Sequence, residues 1–254
     1  MVCFMSEKIK LFIGTSSNGE DALAEMAYEY SLRTNTNSDI DIVWMQQTND
    51  KNSYWHGWNS NMWSTPFSGF RWGIPQYCDY KGRAIYTDCD MINLRDIAEL
   101  WELDIPEDKW MLARDGKRFG GKEFCVILFD CARFFYKHEP MIAHPQEWKH
   151  VDYAHQQYMR LFIERGLVGD LDPRWNCHDG DDLPIDNIWH LHYTNMATQP
   201  WRPSWYIGEQ QDHPRKDLVD LFWSYVEEAT KYGHVPRVVG VEEEVKYNFF
   251  RKIK

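Results

Sequence analysis

The chain opens with a strand-like run followed by a helical period. Ile9-Lys10-Leu11-Phe12-Ile13 reads as a buried strand, and Gly14-Thr15-Ser16-Ser17-Asn18-Gly19 ends it with a run of turn formers. Leu23, Met26, Ala27 and Tyr30 then fall at i, i+3, i+4 and i+7, which predicts an amphipathic helix. Asn18 and Asp21 stand before it in a capping arrangement. The segment DIDIVWM (39–45) alternates like a second strand. A strand-helix-strand start predicts an α/β sheet that binds a ligand at the carboxyl ends of its strands.

Residues 46–66 have no clean period and are expected to form a loop with short turns. A strand over 82–87 leads into Asp88-Cys89-Asp90, and a helix is expected from Leu94 to Leu103, capped by Asn93 and Asp96. The apolar run EFCVILFDCARF (123–134) predicts another buried strand. The period over 151–166 predicts a helix stopped by Gly166. NIWHLHYT (187–194) reads as a late strand with His190 and His192 on one face, because alternate residues share a face. A last helix is expected between Pro214 and Gly233. No repeat or linker interrupts the chain, so the expectation is one α/β domain over 1–254.

Composition narrows the classes. With 254 residues, 43% hydrophobic and 16% aromatic, the chain can bury a substantial core and is not disordered. A net charge of −11 disfavours tight binding to bare nucleic acid, since there is no basic surplus to release counterions. The thirteen Trp residues are read chiefly as core and cleft side chains, with the Trp-rich stretch 54–72 as a candidate acceptor cleft. Six cysteines at 3, 78, 89, 125, 131 and 177 form no CxxC or zinc-like spacing and read as reduced, mostly buried thiols. The opening MVCFMSEKIKLFIG has no basic region before a long apolar core, and no run approaches the ~18 apolar residues of a membrane helix. A cytoplasmic protein without a membrane segment is the expectation.

The candidate chemistry lies at Asp88-x-Asp90. Two carboxylates this close repel each other unless a cation or donors offset the repulsion. Oxygen ligands at the mouth of a strand suit Mg²⁺ and Mn²⁺, and an added imidazole, His192, tilts the choice towards Mn²⁺. An ion held there would neutralise a diphosphate leaving group. Trp201 and Arg202, in HLHYTNMATQPWRP (190–203), are candidates to cover a bound phosphate.

Three blocks in order carry a family resemblance: the strand-helix-strand over 10–45, FSGFRWGIPQYCDYKGRAIYTDCDMINLRDIAELW (67–101), and HLHYTNMATQPWRP. Together they resemble glycosyltransferases of the GT-A fold, family 8, the group of glycogenin and bacterial galactosyltransferases. The resemblance implies a single GT-A-type domain with a Rossmann-like nucleotide-binding sheet flanked by helices. Residues 9–100 would be the nucleotide- and metal-binding half, and 101–235 the donor-sugar and acceptor half. It implies an enzyme that moves a hexosyl group from a UDP-sugar, with retention, to a hydroxyl acceptor such as a glycan.

Carried onto this chain, the resemblance implies Asp88, Asp90 and His192 as Mn²⁺ ligands, with Asp88 also at the ribose. Arg71 would touch the donor sugar or its phosphate, and Gly14 and Thr15 would face the uridine. Gln199 stands where the family has a diphosphate-binding Lys, and Glu123-Phe124-Cys125 where it has Asn-Ser-Gly. Gln199, Trp201 and Arg202 complete the cofactor-binding candidates, and Asp130, Asp152 and Arg71 are the catalytic ones. Glu123 and Asp179 join Asp130 and Asp152 as carboxylates to test at the sugar. Three alternatives remain. One is a haloacid-dehalogenase-like Mg²⁺ phosphatase using Asp88 and the acidic run GDDLPID (180–186). The others are a barrel-type metal hydrolase built on His190-x-His192 and a non-catalytic nucleotide-sugar or glycan-binding protein of the same fold.

Overall fold

The computed structural model describes residues 8–59, 65–117, 121–135, 140–151 and 154–238. In chain order these form β1 (Ile9–Gly14), α1 (Ala22–Asn35), β2 (Ile40–Met45), α2 (Ile74–Tyr77), β3 (Arg83–Asp88), β4 (Met91–Asn93) and α3 (Ala98–Trp101). There follow β5 (Met111–Asp115), β6 (Lys122–Asp130), α4 (Pro140–Ala143), α5 (Pro145–Trp148), α6 (Ala154–Glu164), β7 (Val168–Leu171), β8 (Cys177–His178), β9 (His190–His192) and α7 (Lys216–Lys231).

Six strands make one sheet in the order β2-β1-β3-β6-β5-β7, and β4, β9 and β8 make a small second sheet. The first three strands of the large sheet run parallel, whereas β6 runs antiparallel to both β3 and β5. The sheet therefore changes direction at the β3–β6 seam. This is an open mixed sheet, so the barrel alternative is excluded by its topology.

Two apolar clusters hold the elements together. The larger buries Leu11, Ile13, Ile85, Ile127, Phe129 and their neighbours on the large sheet. The smaller joins α1, β4, β9 and α7 through Ala27, Ile92, Leu191, Tyr193 and Phe222. Full burial of each large apolar side chain contributes about 1.5–3 kcal/mol, so the second cluster anchors β9 firmly against α1.

Several elements differ from the sequence expectation. The helix expected over 94–103 is shortened to α3: Met91, Ile92 and Asn93 are buried as a strand paired with β9, and Leu94 N–H follows that pairing by donating to Trp189 O at 2.9 Å. The N-cap of α3 is Ile97, without a side-chain cap; Asp96 closes a turn just before it by accepting from the Ala98 N–H at 2.9 Å. Asn18 closes a turn by accepting from Glu20 N–H at 3.0 Å and does not cap α1. The strand expected to run to residue 134 ends at Asp130, where a 3-10 turn begins, and the late strand is only three residues long. Trp55, Trp58 and Trp72 are buried among Phe70, Phe124 and Tyr158, which removes them as an acceptor-binding surface. Among the described residues no helix is long and apolar enough to cross a membrane. The five described cysteines are all unpaired; Cys3 lies outside the described residues.

The packing of α6 generates a pH prediction. Trp72 stacks on Tyr158 with ring centroids 5.6 Å apart, and its Nε1–H donates to His155 Nδ1 at 2.8 Å. Burial, and then the positive charge of Arg71, hold the His155 pKa well below the usual imidazole range. A depressed histidine contributes stability above its unfolded pKa of about 6.5, and that stability is lost as pH falls, because the unfolded chain takes the proton first. His155→Gln keeps an acceptor for Trp72 but has no proton to take. Urea unfolding between pH 7 and pH 5 should show its stability falling less steeply than wild type, by up to about 1.4 kcal/mol per pH unit. Parallel pH profiles for the two proteins would refute the assignment.

Candidate functional site

The site forms where β3 ends. Gly14 of β1 pairs in register with Asp88, so the first turn-rich loop and the first aspartate emerge side by side. A Cβ on Gly14 would lie 2.6 Å from Phe67 and 2.9 Å from the Tyr86 hydroxyl, so only glycine lets these side chains close over the strand end. Asp88 is buried, and its Oδ1 accepts from Tyr86 O–H and from Arg71 Nη2 at 3.1 Å. Arg71 is itself immobilised. Its Nε donates to Ser68 O at 2.8 Å, its Nη1 donates to Phe124 O, and its guanidinium lies 4.3 Å from the Tyr86 ring centroid.

One arginine does not satisfy this acidic corner. Burial, together with the nearby Asp90 charge, keeps the Asp88 pKa above the ordinary carboxylate value despite Arg71. Asp90 Oδ1 is a buried acceptor without an aligned donor. His192 Nε2 stands 3.2 Å from it, at ion-pair distance. Burial alone would lower the His192 pKa, but Asp90, with a further contribution from Cys125, lifts it well above the usual value. The corner thus draws positive charge onto the imidazole. The other ring nitrogen, Nδ1, lies 3.1 Å from Asn176 Oδ1, an acceptor that orients the ring with Nε2 towards the carboxylates.

β6 supplies what the sequence reading missed. Thr87 pairs with Val126 across the antiparallel seam, and the same register one step on places Asp88 opposite Cys125. Donor atoms of Asp88, Cys125 and His192 all lie within 4.8 Å of one another, a tighter group than the expected Asp88, Asp90 and His192. Cys125 departs from the glycine of the resembled motif, and that departure was the available signal. Two residues back on the same face, Glu123 Oε2 lies 2.7 Å from His178 Nε2. Burial pushes the Glu123 pKa up, but His178, Arg114 and His192 more than offset it and leave it lowered. Asn176 is the other residue missed; its carbonyl accepts from Arg114 Nη1 at 2.5 Å, and Arg114 pairs with Asp181.

The loop after β9 is tied back to α1. Gln199 Nε2 donates to Asp90 Oδ2 at 2.9 Å and to Tyr193 O at 2.7 Å, while its Oε1 accepts from Arg202. Arg202 Nη1 and Trp201 Nε1 both donate to Asp21 Oδ1, at 2.9 and 3.0 Å. At the carboxyl ends of β1 and β2 lies a cavity of about 240 Å³ lined by Thr15, Glu25, Trp44, Gln46 and Arg237 among others. Thr15 Oγ1 donates to Glu25 at 2.5 Å, and Arg237 forms two bonds to the same carboxylate.

Other candidates fall elsewhere. Asp130 pairs with Arg83 at the opposite end of β3, five residues or roughly 17 Å from Asp88, where it caps a 3-10 turn and binds Arg133. It is not a catalytic residue of this site. Asp152 lies outside the described residues. Asp179 accepts from Thr194 at 2.7 Å and pairs with His213, a structural role. Because Asp181 is committed to Arg114, the downstream acidic run does not supply the second metal-binding pair of a phosphatase. His190 shares the strand with His192 but packs on Tyr28, with centroids 5.3 Å apart, in place of joining the cluster.

The residues present fit a divalent cation. Asp88 clusters with Cys125 and with an imidazole oriented by Asn176, and the buried Asp90 Oδ1, which has no aligned donor, stands 3.2 Å from that imidazole; the corner is rich in acceptors, with Arg71 paired to Asp88. No protein-family model matches the chain. It is similar to Protein CDI of Arabidopsis thaliana, at 29% identity over 251 residues, covering 89% of this chain and 90% of that protein. Among solved structures it is similar to the bifunctional glycosyltransferase WbbM in its apo form, with TM-score 0.62, 14% identity and 90% of this chain covered. The chain spans about half of WbbM, 52% of that chain. It is also similar to the galactosyltransferase LgtC in complex with donor and acceptor sugar analogues, with TM-score 0.59 and 14% identity, over 90% of this chain and 98% of that one. These likenesses establish the fold: one mixed α/β domain of the kind these glycosyltransferases have.

The anchoring of the late loop can be tested. Asp21 and Arg202 are almost wholly buried as a pair, with 7% and 4% of their side chains exposed. Removing one member of such a pair strands a buried charge. Asp21→Ala should therefore lower the unfolding free energy by about 3 kcal/mol in urea titrations. Asp220→Ala, which breaks the exposed Lys216–Asp220 pair, should cost less than about 0.5 kcal/mol. Equal costs would show that Asp21 does not hold the loop.

Proposed function

We propose that the chain is a metal-dependent glycosyltransferase that moves a hexosyl group from a UDP-sugar to a hydroxyl acceptor with retention, acting in the cytoplasm, where its thiols stay reduced. The observation that carries this reading is the clustering of Asp88 with His192 and Cys125 at the carboxyl end of β3, with Arg71 3.1 Å from Asp88 and Asp90 3.2 Å from His192. The glycosyltransferase folds that the chain resembles support the same reading.

Asp88, Asp90 and His192 would hold the divalent ion, with Mn²⁺ favoured over Mg²⁺ by the imidazole. A bound ion supplies charge neutralisation at the departing diphosphate. The chain's own groups do the rest. Arg71, locked by Ser68 O, Phe124 O and Asp88, presents a fixed positive charge that needs no reorganisation as negative charge develops on the leaving oxygen. The cavity beside Thr15 is the proposed nucleoside site, lined by the Trp44 ring and by the polar groups of Thr15 and Gln46. Asn176 keeps the imidazole in one orientation. In the transfer, the anomeric carbon–oxygen bond to the diphosphate breaks while a bond to the acceptor oxygen forms on the same face. The acceptor's proton passes to the departing phosphate oxygen.

Incubation with Mn²⁺ and either UDP-glucose or UDP-galactose should release UDP, and Asp90→Ala should reduce the rate at least about 100-fold, the equivalent of ~2.7 kcal/mol of barrier. No release across a panel of nucleotide sugars, or phosphate release from a simple monoester in its place, would refute the reading. An inverted product anomer by NMR would reject retention alone.

A further inference from the structure

We infer that Cys125 is a thiolate ligand of the ion site, so that this chain takes a softer divalent ion, Zn²⁺ or Co²⁺, in preference to Mn²⁺ or Mg²⁺. The inference rests on occupancy of the proposed ion site and not on glycosyl transfer itself.

Geometry supports it first. The antiparallel β3–β6 ladder, continuous from Arg83–Asp130 to Thr87–Val126, delivers Cys125 to the position beside Asp88. Cys125 is the next residue beyond that ladder and lies where the β5–β6 register shifts, so its place within β6 is set by the β3 pairing that ends one residue away. The donor atoms of Asp88, Cys125 and His192 lie within 4.8 Å of one another. Tetrahedral ligands bound to one ion at about 2.0–2.3 Å stand about 3.3–3.8 Å apart, so closing the cluster needs side-chain shifts of about 1 Å or less.

Charge and donor chemistry point the same way. Asp88, Asp90 and a Cys125 thiolate carry three negative charges, which Arg71 and one dication would balance. A thiolate combined with imidazole and carboxylate is a donor set that favours Zn²⁺ and Co²⁺, whereas an all-oxygen site favours Mg²⁺ and Mn²⁺. On coordination the S–H bond is lost, the S–metal bond forms and the proton leaves to solvent, so uptake releases acid. Glu123 and His178 adjoin the site, with the His178 ring centroid 5.6 Å from that of His192.

Titration of the full chain with Co²⁺, followed by absorption, tests this directly. The expected result is a near-ultraviolet thiolate-to-cobalt charge-transfer band that saturates at one ion per chain. Cys125→Ser should abolish the band and weaken Zn²⁺ binding by at least about tenfold, while changing Mn²⁺ binding by less than about threefold. Bound Co²⁺ without the band, a band that survives in Cys125→Ser, or no Co²⁺ binding would each overturn the inference. The wild-type spectrum decides even if a variant folds poorly. A thiolate band without nucleotide-sugar turnover would sink the transferase reading and leave this site standing; Mn²⁺-supported turnover without a band would do the reverse.

Discussion

The structure is organised around an unbalanced negative charge. Asp88 is buried at a strand end and Asp90 follows two residues later with a buried oxygen that has no aligned donor, while Arg71 pairs with Asp88 and His192 stands 3.2 Å from Asp90. Burial makes each uncompensated charge expensive, so the surrounding chain is recruited to supply donors: Tyr86 and Arg71 to Asp88, Gln199 and His192 to Asp90. These partners come from four separated stretches of sequence. Satisfying the pair therefore draws β3, β9 and the loops around residues 71 and 199 into one place.

The β3–β6 seam decides which residues can take part. Because β6 runs antiparallel to β3, its early residues Glu123 and Cys125 arrive at the acidic end and its last residue, Asp130, arrives at the other. Reversing the strand would exchange their roles. The switch from parallel to antiparallel pairing thus brings a second strand's side chains to the carboxyl end of the parallel half.

What could be read from the chain follows from this. The nearness of Asp88 and Asp90 to His192 could be expected because a strand-turn boundary and a period-two strand both leave local marks. β1, α1 and β2 were legible for the same reason, since their periods are internal to each segment. Cys125 was not, because its importance depends on which strand it faces and in what register, a non-local fact. The misplacement of Asp130 has the same origin: an apolar strand shows its faces but not the direction in which it enters the sheet. β5 and β7 escaped notice because they are short and interrupted by charged residues, Arg114 and Asp170, whose partners lie on other elements. Likewise the helix expected from Leu94 begins only at Ala98, because Leu94 N–H still donates to Trp189 O at 2.9 Å and so follows the β4–β9 pairing out of the sheet.

Gln199 shows how a neutral side chain can serve where a lysine is expected. A lysine ammonium has only donors and would place its charge directly on Asp90. An amide has both functions: its nitrogen donates to Asp90 and its oxygen accepts from Arg202, which in turn binds Asp21. Positive charge is thereby held one residue back from the acidic pair, fixed by two hydrogen-bonded contacts in place of a flexible four-carbon stem. That retreat leaves Asp90 less neutralised than a lysine would leave it, which in turn strengthens its demand for a cation. The substitution that weakens the family resemblance thus leaves the acidic pair with a neutral amide as its neighbour, which suits the proposed cation site.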